Sequence, residues 1–187
     1  AVRNSVLLCA VILCACPPPT TGPVAPAEIA GTQVHMDFGA DLQNPRFFYR
    51  FPFPSDLRLT AQGTPDLRGF PNVQQVAVVE GLRQTAGLHQ GINAMPVGYI
   101  SFTAEIAPHA EEDVIPASPD APLLLLDVDP DSAERGKLFP LVAYTPGLDD
   151  YVPENFLSLA PRPGIILRPG TTYAFVVRRQ LRDAAGT

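Results

Sequence analysis

APLLLLDVD (121–129) and TTYAFVVRRQL (171–181) are the two stretches that decide the fold class of this chain of 187 residues. Four consecutive leucines between Pro and Asp predict a short strand buried on both faces, and the alternation in the second stretch predicts a strand with one solvent-facing side. Three more runs of strand length are VGYISFTAEI (97–106), LFPLVAYTPG (138–147) and NFLSLAPRP (155–163). Because turn residues separate these runs, the chain is predicted to be mainly β, with an antiparallel β-sandwich rather than βαβ units.

The composition limits the classes of fold and partner. The chain contains 22 prolines, and Pro interrupts both helices and sheet interiors, which argues against a helix-rich fold. Hydrophobic residues make up 46% of the chain, which argues against general disorder. The net charge is −6, and no basic cluster extends beyond Arg178 and Arg179, so no nucleic-acid partner is predicted.

One short helix is predicted from Val73 to Gly87. Val76, Val79 and Leu82 continue from Val73 at a spacing of three residues, which is typical of one face of a helix. The Gly at the end of this stretch is a suitable helix stop.

Two strands are predicted ahead of the helix. TQVHMDF (32–38) alternates apolar and polar residues, as a half-buried strand does. RFFYRFPF (46–53) is aromatic and interrupted by Pro, and it is predicted to be extended. Its alternating aromatic residues, predicted to share one strand face and form core, are Phe47, Tyr49, Phe51 and Phe53. A contact with a following domain and a ligand-binding stripe are the alternatives.

The amino-terminal residues have the pattern of an export signal. SVLLCAVILCA (5–15) is almost entirely apolar, follows Arg3, and is about half as long as the ~20 residues that span a bilayer. Its end, LCAC (13–16), resembles the lipobox of bacterial lipoproteins, which implies cleavage after Ala15 and lipidation of Cys16. A plain secretory signal and a structural segment are the alternatives. A metal site is disfavoured because no matching Cys or His cluster follows.

These features divide the chain into three parts. Residues 1–15 are predicted to be the signal peptide, residues 16–31 a Pro-rich tether of extended conformation, and residues 32–187 the sandwich domain. A lipid on Cys16 would hold the domain at a membrane. Pro17 stands where lipoproteins retained at the inner membrane of enteric bacteria carry Asp. The predicted location is therefore the outer membrane or cell surface of a Gram-negative bacterium.

The carboxyl-terminal stretch resembles a known domain family. LRPGTTYAFVVRRQLRDAAG (167–186) is similar to the closing strands of the bacterial Ig-like domains of surface-layer and secreted proteins. The resemblance implies an Ig-like sandwich in which the Tyr173 hydroxyl bonds to backbone near a corner. It also implies that Leu167 lies in the core and that Asp183 and Gly186 lie in a turn.

A second resemblance concerns the front of the domain. FPFPSDL (51–57), followed by Gly63 and Asp66, is similar to the amino-terminal region of bacterial surface and extracellular lipases. In those lipoproteins the region precedes an α/β-hydrolase domain, so the resemblance implies a catalytic domain beyond residue 187. Together the two resemblances cover roughly residues 47–186.

The chain itself contains no catalytic motif, so whether the protein is an enzyme stays open at this point. An α/β-hydrolase exposes its nucleophile on a Gly-x-Ser-x-Gly turn. That frame surrounds none of the five serines after the tether, which are Ser55, Ser101, Ser118, Ser132 and Ser158. The three histidines are far apart and form no metal-binding motif; they are His35, His89 and His109.

One acidic stretch, DVDPDSAERG (127–136), is a candidate for Ca2+ binding, because Ca2+ prefers six to eight oxygen ligands. Its acidic residues are Asp127, Asp129, Asp131 and Glu134. The stretch lacks the Gly and the final Glu of an EF-hand loop, and a solvated acidic turn is the alternative. A second acidic loop, LDDYVPEN (148–155), would complete a site only if the fold brought the two loops together.

Three functions are consistent with these features. The first is a non-catalytic Ig-like module of an envelope-anchored lipoprotein, a spacer or interaction domain whose partners are the membrane and an envelope protein. The second is the amino-terminal part of an extracellular lipase or esterase. The third is a Ca2+- or glycan-binding module, which depends on the acidic loops alone; the absence of Trp weakens the glycan part of it.

Overall fold

The strands are formed by the apolar runs between the prolines. The structure is a computed structural model that describes residues 31–186. Its strands are β1 (Gly98–Ser101), β2 (Val114–Ile115), β3 (Leu123–Asp127), β4 (Leu138–Phe139), β5 (Leu141–Tyr144), β6 (Phe156–Pro161) and β7 (Tyr173–Val177). The helix α1 spans Ala77–Ala86, and two short 3-10 helices span Phe48–Arg50 and Asp56–Arg58.

Two antiparallel sheets organise these strands. The larger sheet has the order β1-β6-β5-β2, and the smaller sheet has the order β4-β3-β7. Each neighbouring pair is antiparallel, with Ile100 opposite Leu157 in the larger sheet and Leu125 opposite Phe175 in the smaller one. The prediction of a mainly β chain with one short helix is confirmed, and the two sheets are consistent with a β-sandwich.

The main core lies between the two sheets. It contains ten buried residues, which are Ile100, Phe102, Ile106, Leu123, Leu125, Leu141, Ala143, Leu157, Leu159 and Leu167. Gly98 of β1 faces Phe175 of β7 so closely that an added Cβ would lie 2.8 Å from the ring. The two sheets are therefore in close contact at this point, where β1 has no side chain.

Pro140 marks the point where the chain passes from one sheet to the other. Strand β4 pairs with β3 in the smaller sheet, and β5 pairs with β6 in the larger sheet directly after this single residue. Pro has no N–H to donate to a strand ladder, so it ends one pairing without leaving an unsatisfied donor.

The prediction for strand β3 was wrong in detail. The strand was predicted to be buried on both faces, but only Leu123, Leu125 and Asp127 are buried, and the alternate leucines Leu124 and Leu126 are half-buried.

Strand β7 was predicted to alternate between a core face and a solvent-facing side. Every second residue packs against the main core, namely Tyr173, Phe175 and Val177, as that prediction requires. All five residues of the strand are nevertheless half-buried, so its outer side is not fully exposed.

The prediction for the aromatic segment 46–53 was also wrong. Phe48–Arg50 is a 3-10 helix, so the buried aromatic residues are not every second one. Phe48, Tyr49 and Phe51 are buried, whereas Phe47 is exposed. In a 3-10 turn, consecutive side chains point about 120° apart rather than to opposite sides, so the neighbouring residues Phe48 and Tyr49 can both be buried.

The remaining local predictions are met in part. The segment 32–38 forms only a single bridge, Val34 to Phe102, rather than a strand. The helix begins at Ala77 instead of Val73, because Asn72 accepts a hydrogen bond from the Val76 N–H at 2.8 Å and fixes a turn there.

In the described part of the chain, no helix is long and apolar enough to cross a membrane. The predicted signal peptide (1–15), nearly all of the tether (16–31) and Cys16 lie outside the described residues.

Candidate functional site

The larger of two clefts on the described surface has a volume of about 650 Å³, within the range of ligand-binding pockets. One wall comes from the amino-terminal part of the domain, with His35, Arg46 and Arg50. The opposite wall is the loop 148–155, the second acidic loop of the sequence. The cleft therefore joins residues that are more than one hundred positions apart in the chain.

Backbone hydrogen bonds to the end of β1 hold both walls in place. The His35 N–H donates to the Ser101 carbonyl at 2.9 Å, which ties the first wall to the sheet. The Phe102 N–H donates to the Asn155 carbonyl at 2.8 Å, which ties the second wall to the same strand end. Because both anchors are within two residues of each other on one chain segment, the sheet sets the spacing of the walls.

The acidic loop has its own internal order. One Asp149 carboxylate oxygen accepts hydrogen bonds from the backbone N–H groups of Tyr151 and Val152, each at 2.7 Å. The Gln74 side-chain amide donates to the Asp150 carboxylate, which links the loop to the segment before α1. Asn155 closes the loop with a φ of 56°, a left-handed conformation that Asn tolerates better than most residues.

Aromatic residues form the base of the first wall. Tyr49 packs edge-on against Phe156, with ring centroids 4.7 Å apart, and Phe156 stacks with Tyr99 on the outer face of the larger sheet. Burial is the main cause that raises the pKa of Tyr49, followed by the neighbouring Tyr99. The Tyr49 phenol is thus neutral over the physiological range and serves as packing surface.

The two walls carry opposite charge. Among the described residues, no ion pair joins Arg46 or Arg50 to the acidic loop; the ion pairs that form lie elsewhere. Arg50 contacts His35 instead, with Nη1 and Nδ1 at 3.4 Å. Burial, and then the charge of Arg50, lower the pKa of His35, so this imidazole is neutral at pH 7.

The cleft brings Ser101, His35 and carboxylates into one region, yet their hydrogen bonds are structural. The Ser101 hydroxyl donates to the Tyr49 carbonyl, and His35 Nδ1 contacts Arg50. A nucleophilic serine needs its hydroxyl aimed at a base, and this hydroxyl is buried and aimed at backbone. The arrangement is suited to binding rather than to covalent catalysis.

The other two histidines lie outside the cleft. His89 Nδ1 contacts the Thr85 carbonyl at 2.9 Å just after α1. His109 exchanges hydrogen bonds with Thr145 through its backbone, while its Nε2 is buried and has no hydrogen-bond partner. Burial is the first cause that lowers the pKa of His109.

The acidic stretch 127–136 is folded around its own carboxylates. Buried Asp127 accepts from the Asp129 N–H at 3.0 Å and from the Ser132 hydroxyl at 2.6 Å. Asp129 accepts from the backbone N–H groups of Asp131 and Thr172. Two cations, Lys137 and Arg168, pair with Glu134. Within residues 31–186, no group of three or more His, Cys, Asp or Glu side chains could hold a metal ion, so the calcium hypothesis has no geometric support there.

The corner residue named by the Ig-like resemblance has a defined contact. The Arg168 N–H donates to the Tyr173 hydroxyl at 3.1 Å, and Leu167 beside it is buried. Asp183 and Gly186 lie in one turn, in which the Gly186 N–H donates to the Asp183 carbonyl at 3.0 Å.

Sequence reasoning missed the basic half of the cleft. Arg46 and Arg50 lie within an aromatic segment that was interpreted as core, and nothing in their spacing links them to residues 148–155. The only local signal was the density of acidic and proline residues in that loop, which was considered as part of a metal site.

The comparisons with known proteins add no relative. No protein-family model, no curated protein and no solved structure matches the chain.

Proposed function

We propose that this protein is a non-catalytic interaction module of an envelope-anchored bacterial lipoprotein. The observation that carries the interaction role is the cleft of about 650 Å³. Its Ser101 hydroxyl and His35 imidazole are bound to structural partners, and within the described part of the chain no ion pair joins its two charged walls. Such a site offers shape and charge to a partner without an activated nucleophile.

The Ig-like character of the module is part of the proposal. Within residues 31–186, seven strands divide into sheets of four and three, the numbers of a constant-type Ig domain. The strand order 1-6-5-2 and 4-3-7 differs from the order 1-2-5-4 and 3-6-7 of that domain, so the proposal concerns the architecture and not the connectivity.

Anchoring through Cys16 follows from the lipobox resemblance, and a pair of cysteine variants tests it. We expect metabolically supplied labelled palmitate to enter the wild-type chain and the Cys14→Ala variant, because only Cys16 stands at the position that becomes the lipidated terminus. The Cys16→Ala variant should lose the label, and the protein should leave the membrane pellet, since the acyl chains supply the attachment.

The control changes the same residue type two positions earlier, within the leader, and leaves the predicted lipidation position intact. Label retained in Cys16→Ala, or lost equally in both variants, would refute the anchor.

The position of this module ahead of a hydrolase domain rests on the FPFPSDL resemblance, and ester hydrolysis by the intact gene product would test it.

A further inference from the structure

We infer that the cleft binds a short extended peptide that carries one carboxylate and one cationic group, with the carboxylate at Arg46 and Arg50 and the cation at Glu154. This inference deepens the proposed function, since it names the class of partner for the same site. It rests on the part of that proposal that concerns interaction, and is independent of the lipid anchor.

The charge of the walls is the first observation behind it. Arg46, Arg50 and Glu154 are exposed at the rim of the cleft, and none of them takes part in an ion pair with another described residue. By contrast, Arg68 pairs with Asp66 at 2.6 Å outside the cleft. The two cleft walls do not neutralise each other by an ion pair, so a ligand that carries both charges can pair with both walls.

The apolar part of the lining is the second observation. Beside the charged residues, the cleft is lined by aromatic and apolar groups, which include Tyr49, Pro71, Phe102, Tyr151 and Val152. Grooves lined by aromatic and proline side chains are suited to extended peptides, whose backbone has little conformational entropy to lose when it contains Pro. A small metal ion or a phosphate would use only one wall.

The rigidity of the acidic loop is the third observation. The hydrogen bonds of Asp149 to two backbone N–H groups and the contact of Gln74 with Asp150 hold this wall in shape without a ligand. A preformed wall lowers the ordering cost of binding, so that even exposed charges contribute to affinity.

A double-mutant cycle between protein and peptide tests the inference. The probe is the peptide Glu-Pro-Tyr-Pro-Lys with acetylated and amidated ends, titrated with the full chain and followed through the aromatic NMR signals of the peptide's own Tyr. We expect saturable binding that weakens about two- to fivefold when the peptide Glu is replaced by Gln, and by a similar factor when the peptide Lys is replaced by Gln. Added salt should weaken binding, because these charges are exposed.

The protein variants assign each charge to a wall. When Arg46 and Arg50 are both replaced by Gln, the change of the peptide Glu to Gln should no longer matter, and in Glu154→Gln the change of the peptide Lys should no longer matter. The matched controls Arg162→Gln and Glu111→Gln change exposed charges outside the cleft and should leave the wild-type pattern intact.

No saturable binding by the wild type, or equal weakening by cleft and control variants, would overturn the inference. The result is separable from the test of the lipid anchor. A chain that is not lipidated and still binds the peptide refutes the anchor alone, whereas a lipidated chain that ignores the peptide refutes the cleft assignment alone.

Discussion

At the scale of single residues, the least expected feature is a buried arginine. Arg58 is only 4% exposed, and its guanidinium carbon lies 3.8 Å from the centre of the Phe48 ring. Its Nη1 donates to the Phe48 carbonyl at 2.8 Å. Desolvation lowers the pKa of Arg58 to about 10, with Asp66 acting in the opposite direction, so the side chain remains charged at pH 7. Through its two contacts with Phe48, Arg58 holds the 3-10 turn 48–50 against the 3-10 turn 56–58.

We expect Arg58→Ala to lower the free energy of unfolding by about 2–4 kcal/mol, because it leaves a cavity and a buried carbonyl without its partner. Arg58→Met keeps the apolar stem and should cost less. Urea denaturation of the purified chain measures both. The exposed Arg162→Ala is the control, and it should change stability by no more than about 0.5 kcal/mol. A cost for Arg58→Ala no larger than that of the control would contradict this role.

Asp127 has a structural role that its spacing in the sequence does not reveal. In the sequence it is a candidate ligand for Ca2+, with a solvated acidic turn as the alternative. The Asp127 side chain is 1% exposed and organises the turn after β3 through Asp129 and Ser132. Carboxylates that accept backbone and hydroxyl hydrogen bonds are satisfied without a cation.

At the scale of elements, β1 and α1 place glycine in opposite settings. Gly98 in β1 lies against the Phe175 ring between the sheets, whereas Gly81 in α1 has no atom near the position of its missing Cβ. The helix is attached to the rest of the domain through polar contacts. Arg83 donates to the Leu67 carbonyl at 3.3 Å, and none of the ten residues of the helix is buried.

Alanine substitutions at these two glycines are predicted to change the stability of the protein in opposite directions. We expect Gly98→Ala to destabilise the protein by about 1–3 kcal/mol, because the methyl group would overlap the Phe175 ring and force the sheets to shift. Gly81→Ala should stabilise it by up to about 1 kcal/mol, since Ala has the higher helix propensity and meets no neighbour. Thermal and urea unfolding of the two variants should differ in sign. Equal effects would show that the sheets are not in close contact at β1.

At the scale of the whole molecule, stability should fall in acid in two steps. The pKa values of His35 and His109 are lowered mainly by burial, against an ordinary value of 6.5. Below about pH 6.5 the unfolded chain therefore binds more protons than the folded one, and acidification favours unfolding. The second step begins near pH 4, because the hydrogen bond from Arg68 lowers the pKa of Asp66.

We expect the urea midpoint to fall between about pH 7.5 and about pH 5, and His109→Gln to reduce that fall. The Nε2 of His109 is buried without a partner, and of the charged groups around it Asp113 acts to raise its pKa. His89→Gln, at an exposed histidine after α1, is the matched control. An unchanged pH dependence in His109→Gln would show that this imidazole is not a source of acid sensitivity.

The sequence by itself determined the β class, the short helix and most of the strands. These follow from apolar runs of strand length between turn residues, and from a Val and Leu repeat over residues 73–82 that is followed by Gly87 as a helix stop. Such signals are local, because Pro and Gly act on the backbone of their own neighbours. The same reasoning failed for Phe48–Arg50, where packing against Phe156 and Arg58 favours a 3-10 turn over the strand that the composition favours.

Only the tertiary structure decided the cleft. Arg50 and Glu154 are separated by more than one hundred residues, and the sheet end at Ser101 and Phe102 brings their walls together. The sequence shows the charge of each of the two segments, but it does not show how far apart the segments lie in space. That distance is set by strand register and by the packing of aromatic rings on the sheet, which depend on contacts between residues far apart in sequence.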